Sequence, residues 1–208
     1  MQPVPVIRHY AEVMEERAEM LAQLADVLSE VGSEHALVGG LAVGHHGRER
    51  ATIDVDLLVP KRKLGRIRNA LESRGYVVRT TDDQVRVYPP ASDPDQAEAI
   101  ADLVVAEANP VLRAAFEAVE PATILGQPIQ VVQRGALVAL KFHAAMSRTR
   151  AHADRLQDVV DIERVITRRF DEEDAALAQR IAAHSYPGAE DDLSRLLADL
   201  RAGRPVTI

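Results

Sequence analysis

The 208-residue chain has no cysteine and no tryptophan, and aromatic residues make up only 3% of it. Without thiols there is no disulfide framework, no thiolate metal site and no cysteine nucleophile, and the composition fits a reducing cytosol. With few rings available, the core has to be filled by Leu, Val, Ala and Ile, which the 47% hydrophobic content supplies. No apolar run approaches the roughly 20 residues that span a bilayer. Met1-Gln2-Pro3-Val4-Pro5 lacks the basic-then-apolar layout of a secretory signal, so the expectation is a cytoplasmic protein with no membrane partner. An excess of positive charge is also missing. At a net charge of −7 the overall field does not suit a protein that coats nucleic acid. The basic run Lys61-Arg62-Lys63, with Arg66 and Arg68, is either a local phosphate-tracking patch or an ordinary solvated helix face.

What is present reads as an α+β chain: a mixed sheet with flanking helices, followed by a helical C-terminal region. Apolar positions at helical spacing over 8–31, including Val13, Leu21, Leu24 and Leu28, predict a leading helix stopped by Gly32. Strands are expected at 35–38, 53–59 and 99–105. A hairpin is expected at 76–79 and 84–88, and two short strands around Gly126 within 122–132. Helices are expected at 61–74 and from Asn109-Pro110. From Arg134 the periodicity is helical throughout, over 134–147, 155–169, 171–184 and 189–202. Two domains follow, 1–133 as the core with its leading helix and 134–208 as the helical region.

The most specific pattern is Gly39-Gly40, thirteen residues, and then Asp54-Val55-Asp56 inside the apolar run Ile53 to Val59. Residues two apart on a strand share a face, so Asp54 and Asp56 project together while Val55 points into the core. Such a pair is either a solvated strand edge or turn cap, or it binds a divalent cation that relieves the repulsion. Mg²⁺ suits the second reading, because it takes one or two carboxylates plus substrate phosphate oxygens. The glycines are either a tight turn that needs small residues, or a strand-to-helix junction whose backbone N–H groups gather at a phosphate.

Three further acids and a lysine extend the pattern. Asp102 sits within the apolar strand 99–105, either hydrogen-bonded at a strand end or converging on Asp54 and Asp56 as a third catalytic and metal-binding carboxylate. Lys141, inside Leu137-Val138-Ala139-Leu140-Lys141-Phe142, either reaches out to solvent or meets an anion such as a triphosphate. Asp158 and Asp161 share one helix face near Arg148 and Arg155, in a surface, salt-bridge or nucleotide-contacting role. His45-His46, His143 and His152 have no zinc-ligand spacing and read as structural or exposed.

These residues resemble the AbiEii-type nucleotidyltransferases, the toxin family of type IV toxin-antitoxin systems, within the DNA polymerase β-like nucleotidyltransferase superfamily. The match runs through Leu37-Val38-Gly39-Gly40-Leu41-Ala42-Val43, Gly47, Arg50-Ala51-Thr52 and Ile53 to Val59. It continues at Leu140-Lys141-Phe142, Arg148 and Asp158-Val159-Val160-Asp161. The resemblance implies transfer of a nucleoside monophosphate from NTP with Mg²⁺ or Mn²⁺ held by Asp54, Asp56 and Asp102. It implies nucleotide contacts from Gly39, Gly40, Arg50, Thr52, Lys141, Arg148, Asp158 and Asp161. The acceptor would be RNA, in particular tRNA, or protein, with a cognate antitoxin as partner. Two positions depart from the superfamily's usual pattern: Gly40 stands where serine is frequent, and Gln157 where lysine is frequent. The competing expectations are a small-molecule, antibiotic-type nucleotidyltransferase and a non-catalytic nucleotide- or partner-binding module.

Overall fold

The computed structural model describes residues 5–48, 52 and 54–206, with side chains from residue 13 onward. Arg50 and Ile53 lie outside the described residues. The chain divides into two compact units, one formed by Met1–Leu41, Arg50–Ala108 and Pro121–Val131, the other by Ala42–Glu49, Asn109–Glu120 and Val132–Ile208. Both are discontinuous in sequence.

A seven-stranded mixed sheet contains β1 (Ala36–Leu37), β2 (Val55–Val59), β3 (Val77–Thr80), β4 (Gln84–Tyr88), β5 (Ala101–Val105), β6 (Val119–Ile124) and β7 (Gln127–Val132), in the order β3-β4-β5-β2-β1-β7-β6. In the first unit, alternation at the centre of this sheet defines a core face. Val55, Leu57 and Val59 are buried on it beside Ala101, Leu103 and Val105 of β5 and Val85 and Val87 of β4. Helix α1 (Pro5–Glu30) covers part of the core, burying Leu21, Leu24 and Leu28 completely, each burial contributing roughly 1.5–3 kcal/mol. Beyond a 3-10 turn at Lys61–Lys63, α3 (Leu64–Ser73) turns Ile67 and Leu71 inward at i, i+4 spacing. The basic run is tied down locally: Arg62 pairs with Glu34 at 2.7 Å and Lys63 donates to the Val31 carbonyl at 3.1 Å. These bonds favour the reading of an ordinary helix start.

The second unit is built on α5 (Arg134–Met146), which packs against α6 (His152–Ile166) and α7 (Glu172–Ala182). Gly135, Ala136, Leu137, Val138, Ala139, Phe142 and Ala145 of α5 are all buried, the near-continuous apolar surface of a central helix. A Cβ on Gly135 would stand only 3.0 Å from Cβ of Leu177 and would strike the Asp174 backbone, so α5 and α7 approach more closely than an alanine allows. Helix α4 (Pro110–Glu117) starts as the sequence predicts, with Pro110 in the first turn and Asn109 Oδ1 accepting from the Leu112 amide at 2.9 Å. Helix α8 (Ala189–Arg201) completes the unit.

Sequence expectation and structure differ mainly at boundaries. The strand expected from residue 53 begins at Val55, with Asp54 in a bend before it. The strand expected at 99–105 begins at Ala101. Strand β6 starts at Val119, earlier than the 122–132 window, and carries Pro121; as the last strand of the sheet it needs no ladder donor on its open side. No helix among the described residues is long and apolar enough to cross a membrane.

Candidate active site

Strands β2 and β5 run parallel, and their register sets Asp56 directly opposite Asp102. Asp54 lies two residues before Asp56, and each of the three carboxylates offers an oxygen within 4.8 Å of the others. The third acid therefore converges on the pair. All three side chains are partly buried, so their mutual repulsion is poorly screened. Burial pushes the Asp102 carboxyl up from its ordinary range, the Arg86 guanidinium pulls it down, and the neighbouring Asp54 charge adds to the rise. Arg86 is the cross-strand partner of Asp102, with Nε 3.6 Å from Oδ1. Thr52 donates its hydroxyl to Asp54 Oδ1 at 3.1 Å and so orients that carboxylate.

Gly39 explains why a glycine precedes this site. It opens α2 (Gly39–His46) with φ +63°, in the left-handed region that favours glycine. A Cβ there would fall 2.5 Å from Cγ of Asp56, inside the space the carboxylate occupies. The preceding Val38 amide donates to the Asp56 carbonyl at 3.0 Å, which fastens the turn to β2. Gly40 is buried in the first turn of α2, where backbone amides lack intrahelical acceptors.

The donor set is all oxygen, which suits a hard cation such as Mg²⁺, Mn²⁺ or Ca²⁺ better than zinc. Asp102 Oδ1 is buried with no hydrogen-bond partner among the described residues, a cost that a ligated cation would remove. The three carboxylates therefore fit a divalent metal.

In the second unit, Lys141 is neither at the surface nor alone. Its Nζ lies 3.0 Å from Asp158 Oδ1 and 2.8 Å from Asp161 Oδ2. Asp158 and Asp161, expected in a surface or salt-bridge role, are buried at 3% and 0% exposure, so the salt bridge holds and the surface does not. Arg150 reaches Asp158 at 3.3 Å, Arg164 reaches Asp161 at 3.3 Å, and Gln157 donates to Asp161 at 3.0 Å. Arg148 is exposed in the turn after α5.

Two features escaped the sequence reading. His45, His46 and Glu120 offer donor atoms within 4.8 Å of one another, from segments far apart in the chain. His46 itself is structural: buried, it donates from Nε2 to the Val132 carbonyl at 2.7 Å, and burial lowers its pKa to about 4. Arg86 is the other. Its alternation in Gln84-Val85-Arg86-Val87 marks a solvent-facing strand position, but its pairing with Asp102 depends on a register that no local pattern encodes.

The architecture is shared with known structures. The antibiotic-resistance factor ANT(2″)-Ia is 14% identical, with 91% of this chain and 99% of that one covered and a TM-score of 0.57. An antigenic nucleotidyltransferase-like protein from Paracoccidioides brasiliensis is 16% identical, with 92% and 95% covered and a TM-score of 0.56. Lincosamide antibiotic adenylyltransferase LnuA is 12% identical, with 71% and 96% covered and a TM-score of 0.48. Among curated proteins none matches the chain. The sequence pattern of a family described as "Uncharacterised nucleotidyltransferase" matches residues 9–186, the stretch that carries Gly39, all three aspartates and Lys141, and the chain belongs to that family of nucleotidyltransferases.

Proposed function

We propose that the protein transfers a nucleoside monophosphate from NTP to an acceptor with Mg²⁺ as the resident cation. The observation that carries this is the convergence of Asp54, Asp56 and Asp102 beside a glycine that their geometry requires. Asp54 and Asp56 hold the cation, and Asp102 is the third ligand and the group that orients the attacking hydroxyl and takes up its proton. The bound cation would supply charge neutralisation at the triphosphate. In the reaction the acceptor oxygen bonds to the α-phosphorus, the bond from that phosphorus to the bridging oxygen breaks, and pyrophosphate leaves with the electron pair. Thr52 keeps Asp54 turned into the site. Backbone amides of Gly39 and Gly40, with Arg50, are the donors we assign to the nucleotide. The AbiEii-like motif set also implies nucleotide contacts for Lys141 and Arg148; the lysine itself is held by Asp158 and Asp161. We place the catalytic part of the chain within 1–133, with the helical region over 134–208 following it in sequence.

For the acceptor we favour RNA, in particular tRNA, or a protein, in a cytoplasmic toxin restrained by an antitoxin; the AbiEii-like motif set supports this reading. The fold shared with ANT(2″)-Ia supports a second one, a small-molecule acceptor of the antibiotic type. Incubation with α-labelled NTPs, Mg²⁺ and separate pools of RNA, protein and aminoglycosides decides between them. Label entering RNA or protein, and lost in Asp54→Asn, upholds the first; label entering only the aminoglycoside pool replaces it with the second. No label in any pool, with every NTP supplied, would sink both.

A further inference from the structure

Arg86 is a cation at the carboxylate site for which the proposed chemistry has no task. The pairings Arg86 with Asp102 and Asp56 with Asp102 set the three residues in one row across β4, β5 and β2, so their side chains leave the sheet on one face. The other face of β4 carries the buried Val85 and Val87, and Arg86 takes no part in that core. Its contact with Asp102 is open. At 3.6 Å it is longer than a hydrogen bond, and the carboxylate oxygen it faces is buried without a hydrogen-bond partner among the described residues. A finished arginine–carboxylate pair closes to about 2.8 Å, commonly through two parallel bonds. The Arg86 side chain is 55% exposed, against 20% for Asp102. Its β3 neighbour Arg79 is already held by Asp95 at 2.7 Å.

Charge balance gives the open contact a task. In the cation-free protein, Arg86 stands beside Asp102, one of three clustered carboxylates, and offsets part of their repulsion. A divalent cation on those carboxylates offsets most of their charge and weakens the field that attracts the guanidinium, so a substrate phosphate becomes the stronger anion at the site. We infer that Arg86 is a phosphate-binding residue of the active site, exchanging Asp102 for a substrate phosphate when a cation occupies the carboxylates. This rests on the reading of Asp54, Asp56 and Asp102 as a cation site. The phosphate belongs either to the NTP or to the backbone of a nucleic-acid acceptor, since a guanidinium fork recognises both in the same way.

Equilibrium binding tests this without turnover. Wild type, Arg86→Gln and Arg86→Lys are titrated with a non-hydrolysable NTP analogue and, separately, with a fluorescent single-stranded RNA oligonucleotide, each in Ca²⁺ and in EDTA. In Ca²⁺, Arg86→Gln weakens one probe by roughly tenfold or more, as expected for loss of a charged hydrogen bond. Arg86→Lys falls between, EDTA abolishes the difference, and the probe that weakens names the source of the phosphate. Unchanged affinity for both probes in Ca²⁺ overturns the role of Arg86 and leaves the cation site standing. If wild type binds neither probe in a cation-dependent way, the cation-site reading falls and the inference with it. Should Arg86→Gln melt below the assay temperature, Arg86→Lys decides alone, and wild-type affinity in that variant overturns the inference.

Discussion

Single side chains in this protein carry charge in two contrasting ways. Asp54 and Asp56 are like charges held together, so Asp54→Asn should abolish nucleotide transfer while leaving cation-free stability level or raised. Thermal melts with and without Mg²⁺ and NTP check this. A clear loss of stability without ligand, combined with an unchanged ligand-induced rise, would make Asp54 structural. Lys141 is the opposite case, a cation between two buried carboxylates. Lys141→Met removes the cation that Asp158 and Asp161 share, and removing one partner of a buried pair typically costs about 3–5 kcal/mol. Arg150 and Arg164 remain in contact with those acids, so the lower end of that range is expected in urea unfolding, and a loss near zero would mean they suffice. His46 titrates at about 4 when folded, below its ordinary 6.5. Its folded pKa is depressed, so the contribution of the neutral ring is complete above the unfolded value and is lost as pH falls through the folded one, up to about 3 kcal/mol. The chain should weaken steeply between those limits in urea melts, and His46→Gln should flatten that part of the profile.

Among the elements, the junction from β1 into α2 is the most constrained. Gly39→Ala forces an alanine into the left-handed region, costing about 1–3 kcal/mol for the backbone alone, and drives its Cβ into Asp56. The expected outcome is a destabilised protein whose melting temperature no longer responds to Mg²⁺ with NTP; a normal response would show that Asp56 can move aside. The sequence made this junction visible because a glycine pair before a short helix is local chemistry. Most other elements were legible for the same reason, from the helical spacing of Val13, Leu21, Leu24 and Leu28, the Asn109-Pro110 helix start, and the hairpin pattern at 76–79 and 84–88. What local pattern does not encode is pairing. Nothing near Asp102 says that β5 lies beside β2 in parallel, and nothing near Arg86 says that Asp102 is its neighbour. Asp102 could be proposed as the third acid because a charge within an apolar strand demands a partner and the resembled family has one there, whereas Arg86 on a polar face made no such demand. Glu120 likewise meets His45 and His46 only through tertiary structure.

At the scale of the molecule, the two units exchange segments along the chain, with 42–49 and 109–120 belonging to the same unit as the C-terminal helices. Helix α4 packs against α5 and α7 and buries Val111 and Ala115. Fragments 1–133 and 134–208 expressed separately should therefore each expose apolar surface, the first on α4 and the second on α5. Circular dichroism should show broad, uncooperative melts for both, and a sharp transition in either would mean that fragment folds alone. The same interleaving has a consequence during synthesis. Leu37 of β1 takes its parallel partner from Val131 of β7, roughly ninety residues later, which at about 5–20 residues per second is on the order of 5–20 s of translation. Until then one edge of the growing sheet is open on the ribosome, and the carboxylate site takes shape beside an unfinished neighbour. Nascent chains stalled before Val131 should be bound by chaperones and cut by proteases at Ala36-Leu37, and those stalled well after it should not, so the rate of translation across β7 sets how long this protein is vulnerable.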